Sequence, residues 1–239
     1  MLFSILSGGD IRDIIISLLL TVPIILISLS VHEASHGFIA LKMGDRTAYN
    51  LGRVTINPAK HLDPMGSLCM LVFGYGWAKP VPINARNFRN PKRGMAFTAI
   101  AGPISNMILG VIGALLYSII LVLFFRYSGE ILQNQLASNI MQILLTFFYY
   151  LGFMNFMLAA FNLIPVPPFD GSRFFSLFLP DRIYFSMMRY ERYIMFAILV
   201  GMIACSRIFN FSPFGWIADK LFDLISTPFF NLWSMLFLR

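Results

Sequence analysis

The sequence predicts an all-α polytopic membrane protein, a bundle of four to five transmembrane helices with a re-entrant, β-like loop. Three observations carry this. Of 239 residues, 58% are apolar and only 12% charged, where a soluble domain carries about 25% charged residues. Long uncharged stretches recur, the first being Ile14–Val31, close to the roughly 20 residues that cross a bilayer. Between the first two such stretches lies a segment that is apolar yet broken by glycine and proline. Non-helical backbone at membrane depth is tolerated only when buried in protein or lining a cavity. The whole chain, 1–239, reads as one membrane-embedded domain. The net charge of +7 reflects membrane topology on this composition, so the bilayer is the expected partner and nucleic acid is not.

The first helix is expected from about Ile14 to Leu41. It would be about 42 Å long against a hydrocarbon core of roughly 30 Å, so it must tilt or protrude. Asp10 can cap it, Asp13 sits in its first turn, and Pro23 is expected to bend it. The N-terminus lacks a basic n-region and a small-residue cleavage site, so no removable signal peptide is expected. Near the end of this helix stands His32-Glu33-Ala34-Ser35-His36. Residues i and i+4 share a helix face, so both imidazoles can hold one metal ion. Neutral imidazole suits zinc. Glu33 lies beside the pair, where it can take a proton from a water that the metal polarises. The bland alternative is a helix with two buried histidines and a stray acid, because five-residue patterns recur by chance. Three ionisable residues within five positions of an apolar span favour the metal, since such residues are rare and usually functional.

Beyond Lys42 the chain is punctuated by Asn57-Pro58, Asp63-Pro64, Gly66, Gly74, Gly76, Pro80 and Pro82. Residues 66–84 read as a re-entrant or interfacial loop with short β character. The run Leu68–Phe73 argues against an ordinary polar loop. His61 has two readings, a polar residue of this loop or a partner behind the metal ligands, and the loop role is favoured. Cys69 and Cys205 read as core thiols without a disulfide. A second span is expected from about Met95 to Phe125. It contains Ala101-Gly102-Pro103-Ile104-Ser105-Asn106, a small-residue stretch that a neighbouring helix can approach closely. On composition alone Asn106 reads as interhelical glue. A third span is expected from about Leu136 to Phe161.

That span runs into Asn162-Leu163-Ile164-Pro165-Val166-Pro167-Pro168-Phe169-Asp170-Gly171. Three prolines in four residues break a helix and deliver Asp170 to a fixed point, followed by a flexible Gly171. A lone Asp after prolines is ordinarily a turn residue or a cap. Beside two histidines, however, a carboxylate completes a His₂Asp set with one position left for water. Its charge lowers the cost of burying Zn²⁺. A short helix, Ser172–Leu179, should stop at Pro180, with a fourth span from about Tyr193 to Ile208. The tail after Pro213, interrupted at Pro228, reads equally as an interfacial amphipathic helix or a fifth span.

Lysines and arginines set the orientation. Residues 42–93 carry nine and residues 162–192 four, while Arg12 and Arg126 stand on the other side. Positive-inside places both motif-bearing ends in the cytoplasm and the N-terminus outside. The two motifs can therefore meet at one depth.

With these residues in place, the chain resembles the site-2 protease family of intramembrane zinc metalloproteases. The likeness covers roughly residues 14–180. It rests on HEASH at 32–36, GPISN at 102–106 and NLIPVPPFDG at 162–171, in the family's order, and on INPAKHLDPMG at 56–66 and GYGWAKPVPIN at 74–84. The resemblance implies one zinc per chain held by His32, His36 and Asp170, with Glu33 as general base. It implies Asn106 near the reacting carbonyl, steadying the oxyanion. It matches Gly74-Tyr75-Gly76 to a loop that holds the substrate strand, and Asn162 is grouped with these as a substrate-binding residue. The catalytic core then spans about 14–180, followed by C-terminal helices over 181–239. No stretch is left for a PDZ domain or a CBS pair, so regulatory membrane partners, a homo-oligomer or substrate pre-cleavage would supply gating. The implied activity is hydrolysis of a peptide bond in or near the transmembrane segment of a membrane protein, in regulated intramembrane proteolysis. The implied setting is a multi-pass protein of a prokaryotic cell membrane with its active site toward the cytoplasm. The rival readings are a zinc-binding scaffold or transporter without protease activity, and a structural subunit. A transporter should show paired polar residues across the bilayer, and the outer halves of the spans are nearly all apolar.

Overall fold

A computed structural model describes residues 11–66 and 78–238. Nine helices are considered below: α1 (Ile11–Met43), α2 (Thr47–Asn50), α3 (Pro91–Arg126), α4 (Ser128–Ile131), α5 (Gln135–Asn162), α6 (Asp170–Phe175), α7 (Asp181–Arg189), α8 (Glu191–Ile208) and α9 (Pro213–Phe237). Single 3₁₀ turns lie at Pro58–Lys60 and Ala85–Asn87. Among the described residues, three helices are long and apolar enough to cross a membrane: Ile15–Met43, Pro91–Arg126 and Gln135–Asn162. The chain is thus a helical membrane protein.

The polar residues within α1 do not disturb it, because each bonds back into the helix. Thr21 donates to Ser17 O at 2.7 Å, Ser28 to Ile24 O at 2.7 Å, Ser30 to Leu26 O at 2.6 Å and Ser35 to Val31 O at 2.7 Å. In hydrocarbon every polar group must find such an internal partner. Bulky residues such as Ile16, Leu19, Ile104, Ile108 and Ile143 are exposed on these helices, as lipid-facing surface should be.

Several expectations are corrected. Helix α9 continues through Pro228 rather than breaking there. The helix after the proline-rich motif starts at Asp170 and ends at Phe175, earlier than Ser172–Leu179. Cys205 is a free thiol but only half-buried, not a core residue. At the edge of the segment expected to re-enter, Ala78 forms an antiparallel bridge with Leu62, extended by Lys79 N–H donating to His61 O at 2.8 Å. Cys69, Gly74, Tyr75, Gly76 and Trp77 lie outside the described residues.

The chain divides into two compact units, one of Met1–Ser105 with Leu163–Glu191, the other of Asn106–Asn162 with Arg192–Arg239. The second is held by α5 against α9. Its core is Ala114, Phe156, Ala218 and Phe222. Small residues allow the close approach: a Cβ on Gly113 would stand 2.4 Å from Gly152 N, and one on Gly152 would stand 2.6 Å from the Phe222 ring. Asp219 of α9 accepts from the Tyr149 hydroxyl of α5 at 3.1 Å.

Candidate metal centre

The first unit carries the chemistry. His32 and His36 lie one turn apart on α1 and are both buried, with rings edge to face at 89° and centroids 4.6 Å apart. The turn after α5 brings Asp170 to them. Three prolines prevent that stretch from continuing the helix. Gly171 is not a flexible joint, as the sequence suggests, but a close-packed position. A Cβ there would stand 2.3 Å from Leu163 O and 2.6 Å from Ile164 O. The chain folds so tightly on itself that only glycine fits, and this fixes Asp170 as the first residue of α6.

His32 Nε2 lies 3.1 Å from Asp170 Oδ2, His36 Nε2 3.3 Å from the same oxygen, and the two Nε2 atoms 3.0 Å apart. A tetrahedral ion with bonds of about 2.0–2.1 Å sets its ligand atoms roughly 3.3 Å apart. The three donors therefore already stand within a few tenths of an ångström of zinc spacing, and they form a group capable of holding a metal. His36 Nδ1 lies 2.7 Å from Thr98 O. A carbonyl only accepts, so Nδ1 carries the proton and Nε2 of the neutral ring presents its lone pair to the group. When the imidazoles carry a proton on Nε2, that N–H donates to Asp170, and although burial opposes ionisation these bonds outweigh it and hold the carboxyl well below its usual range; a metal would take the place of those protons. The carboxylate is the form that binds metal.

Helix α3 closes the group from the other side. A Cβ on Gly102 would stand 2.5 Å from His32 Cε1, 2.6 Å from His32 Nε2 and 2.6 Å from His36 Cε1. The two imidazole rings occupy the space that any larger residue would claim. The sequence marked this stretch as a place of close approach, but not as one filled by the histidines. In the same region Pro103 withholds an N–H from the helix ladder and crowds the carbonyl one turn back. Thr98, in that preceding turn, supplies the carbonyl that orients His36.

Glu33, on α1 beside the pair, accepts from Val81 N–H through Oε2 at 2.8 Å. Sequence reasoning missed this contact, although Val81 lies between Pro80 and Pro82 in a stretch otherwise poor in donors. His61 is buried, and its Nε2 donates to Thr55 O at 2.7 Å, within the loop; it is not among the three converging residues. Asn106 is fully buried on α3, four residues after Gly102 and in the second unit. Asn162, half-buried at the end of α5, donates its Nδ2 to Leu158 O at 3.0 Å, so that donor serves its own helix.

Comparison with known proteins bears directly on this arrangement. The family model described as Peptidase family M50 matches residues 20–205. The chain belongs to peptidase family M50. It is 40% identical over 169 residues to "Putative zinc metalloprotease YwhC" of Bacillus subtilis (strain 168), covering 71% of this chain and 73% of that one. It is 27% identical over 151 residues to "Putative zinc metalloprotease Rip2" of Mycolicibacterium smegmatis, covering 61% of this chain and 52% of that one. No solved structure matches the chain. This M50 protein is a membrane-embedded metalloprotease of the site-2 protease family, as its motifs imply.

One further buried group stabilises the end of α1. Asp45 is fully buried and accepts from Thr47 N–H at 3.0 Å, from the Thr47 hydroxyl, from Asn84 N–H at 2.7 Å and from Asn87 Nδ2 at 2.8 Å. Burial opposes its charge, but these bonds win and lower its pKa. A carboxyl with a depressed folded pKa stabilises fully above its unfolded value, about 3.9, and loses that contribution as pH falls through the folded value. Asp45→Asn should cost on the order of 2 kcal/mol near pH 7. The gap from wild type should narrow below about pH 4, as thermal unfolding in detergent across pH would reveal.

Proposed function

We propose that this M50 protein is a zinc-dependent endopeptidase that cuts a peptide bond in or near the transmembrane segment of another membrane protein. The observation that carries this is the convergence of His32, His36 and Asp170 near the C-terminal end of a membrane-length helix, with Glu33 alongside. His32, His36 and Asp170 hold one zinc per chain. When bound, zinc supplies a Lewis acid that makes water a nucleophile near neutral pH. Glu33 takes the proton from the attacking water and passes it to the leaving amine. Asn106 steadies the oxyanion. A substrate helix hides its amides and must unwind first. The unwound strand pairs with the loop containing Gly74, Tyr75 and Gly76, and Asn162 contributes to that site.

In this reading α8 and α9 add to the three longest helices, making four to five spans, and the segment around 66–84 re-enters the membrane. Positive-inside asymmetry supports a cytoplasmic active site in a prokaryotic membrane. The partner is a membrane-spanning substrate, its cutting regulated by membrane partners or by self-association.

The test uses a reporter carrying one transmembrane helix, reconstituted with the protein in lipid vesicles. Cleavage should stop on chelation with 1,10-phenanthroline and return when zinc is restored. Cleavage that persists in metal-free protein, or no cleavage by the zinc-loaded protein, would overturn the reading. The second result would favour a zinc-binding scaffold or transporter.

A further inference from the structure

Val81 donates to Glu33 from a constrained stretch of chain. Pro80 and Pro82 flank it, so its N–H is the single main-chain donor of residues 80–82, and the prolines favour an extended backbone there. The side chain of Val81 is buried against α1, where a Cβ on Gly37 would meet its Cγ1 at 3.4 Å. One residue outside this stretch grips it. Arg53 is 9% exposed. Its Nη2 donates to Lys79 O at 2.7 Å and reaches Pro80 O at 3.3 Å. Among the described residues, Arg53 has no carboxylate partner. Burying a guanidinium is costly unless it is well bonded. Here Nη2 alone bonds to two main-chain oxygens, the second belonging to the peptide whose N–H reaches Glu33, while the buried Nε has no hydrogen-bond partner among the described residues.

We propose that Arg53 is a positioning residue for Glu33, acting through the Pro80–Val81 peptide. The proposal rests on the reading of Glu33 as the base. A cationic donor on the Pro80 oxygen polarises that planar peptide and strengthens the Val81 N–H as a donor on its other side. Lys79 O anchors the same Nη2, so the guanidinium fixes the peptide's place as well as its polarity. Glu33 is thereby pinned through Oε2, and its other oxygen is kept in a fixed direction to receive the proton. The carbonyls of Lys79 and Pro80 and the N–H groups of Lys79 and Val81 are all engaged. This short segment therefore serves the base rather than a substrate strand.

The experiment pairs amide hydrogen exchange with kinetics on the zinc-loaded full chain. Exchange is resolved at Val81 by fragmentation in the gas phase, in wild type, Arg53→Met, Glu33→Ala and the double variant. Each single change should speed Val81 exchange about tenfold, and the double variant should add little, because both act on one bonded peptide. On the transmembrane reporter, Arg53→Met should lower kcat about tenfold with KM and zinc content unchanged, and Arg53→Lys should recover part of the loss. Unchanged Val81 exchange in Arg53→Met would overturn the proposal. So would faster exchange with kcat intact, or a loss of kcat that tracks a loss of zinc. Failure of the wild type to cut the reporter strikes instead at the protease reading, and the exchange cycle then still decides whether Arg53 holds the peptide.

Discussion

Gly102→Ala is expected to disable the protein without altering any candidate ligand or acid–base group. The added methyl would lie 2.5 Å from His32 Cε1 and 2.6 Å from His36 Cε1, well inside contact distance. Something must move, and the histidine rings are the far ends of flexible side chains, whereas the α1 and α3 backbones are held along their length. The rings should therefore swing away from Asp170, and the Nε2 atoms should lose their convergence. Altering groups that orient metal ligands typically costs 10- to 100-fold in affinity, and a clash with two ligands at once should reach at least the upper end, roughly 100-fold. Zinc titration beside helical circular dichroism is the check. Weakened zinc binding with helix content preserved is the expected result. Zinc affinity equal to wild type would mean that the rings have room to spare.

Glu33→Gln should do the reverse, keeping the metal and losing the chemistry. Its carboxylate is not among the three converging donors, so zinc content should stay at the wild-type level. The amide oxygen of glutamine can still accept from Val81 N–H, which keeps the side chain in place. What is lost is the ability to take and return a proton. General base catalysis is worth about 10²–10⁴ in rate, so single-turnover cleavage of the transmembrane reporter should slow by about that factor. Wild-type rates in Glu33→Gln would remove Glu33 from its role. Loss of zinc in that variant would make Glu33 a ligand.

Much of this site was legible in the chain because its parts are local patterns. The i, i+4 spacing places His32 and His36 on one face whatever else the protein does. The prolines at 165, 167 and 168 announce that Asp170 is held by a turn. The long spans follow from their uncharged lengths, and the structure begins and ends them within a few residues of expectation. What the sequence did not reveal depends on neighbours distant along the chain. Gly102 could be recognised as small, but not as the residue that makes room for two imidazoles of another helix. The Thr98 carbonyl and the Val81 amide are main-chain groups, whose roles leave no mark in residue type. Gly171 looked like a hinge because glycine permits motion, yet it is there because the Leu163 and Ile164 carbonyls leave no room for a side chain. Pro228 looked like a break, yet α9 runs through it.

The central claim is that two motifs far apart in sequence build one metal site. It is tested most directly by zinc content per chain in detergent-purified protein, wild type beside Asp170→Ala. The account predicts about one zinc in wild type and a marked loss in the variant, because two histidines alone leave a tetrahedral ion short of a protein ligand. Wild-type protein that takes up no zinc after metal is added back, or Asp170→Ala that holds it as tightly as wild type, would contradict it.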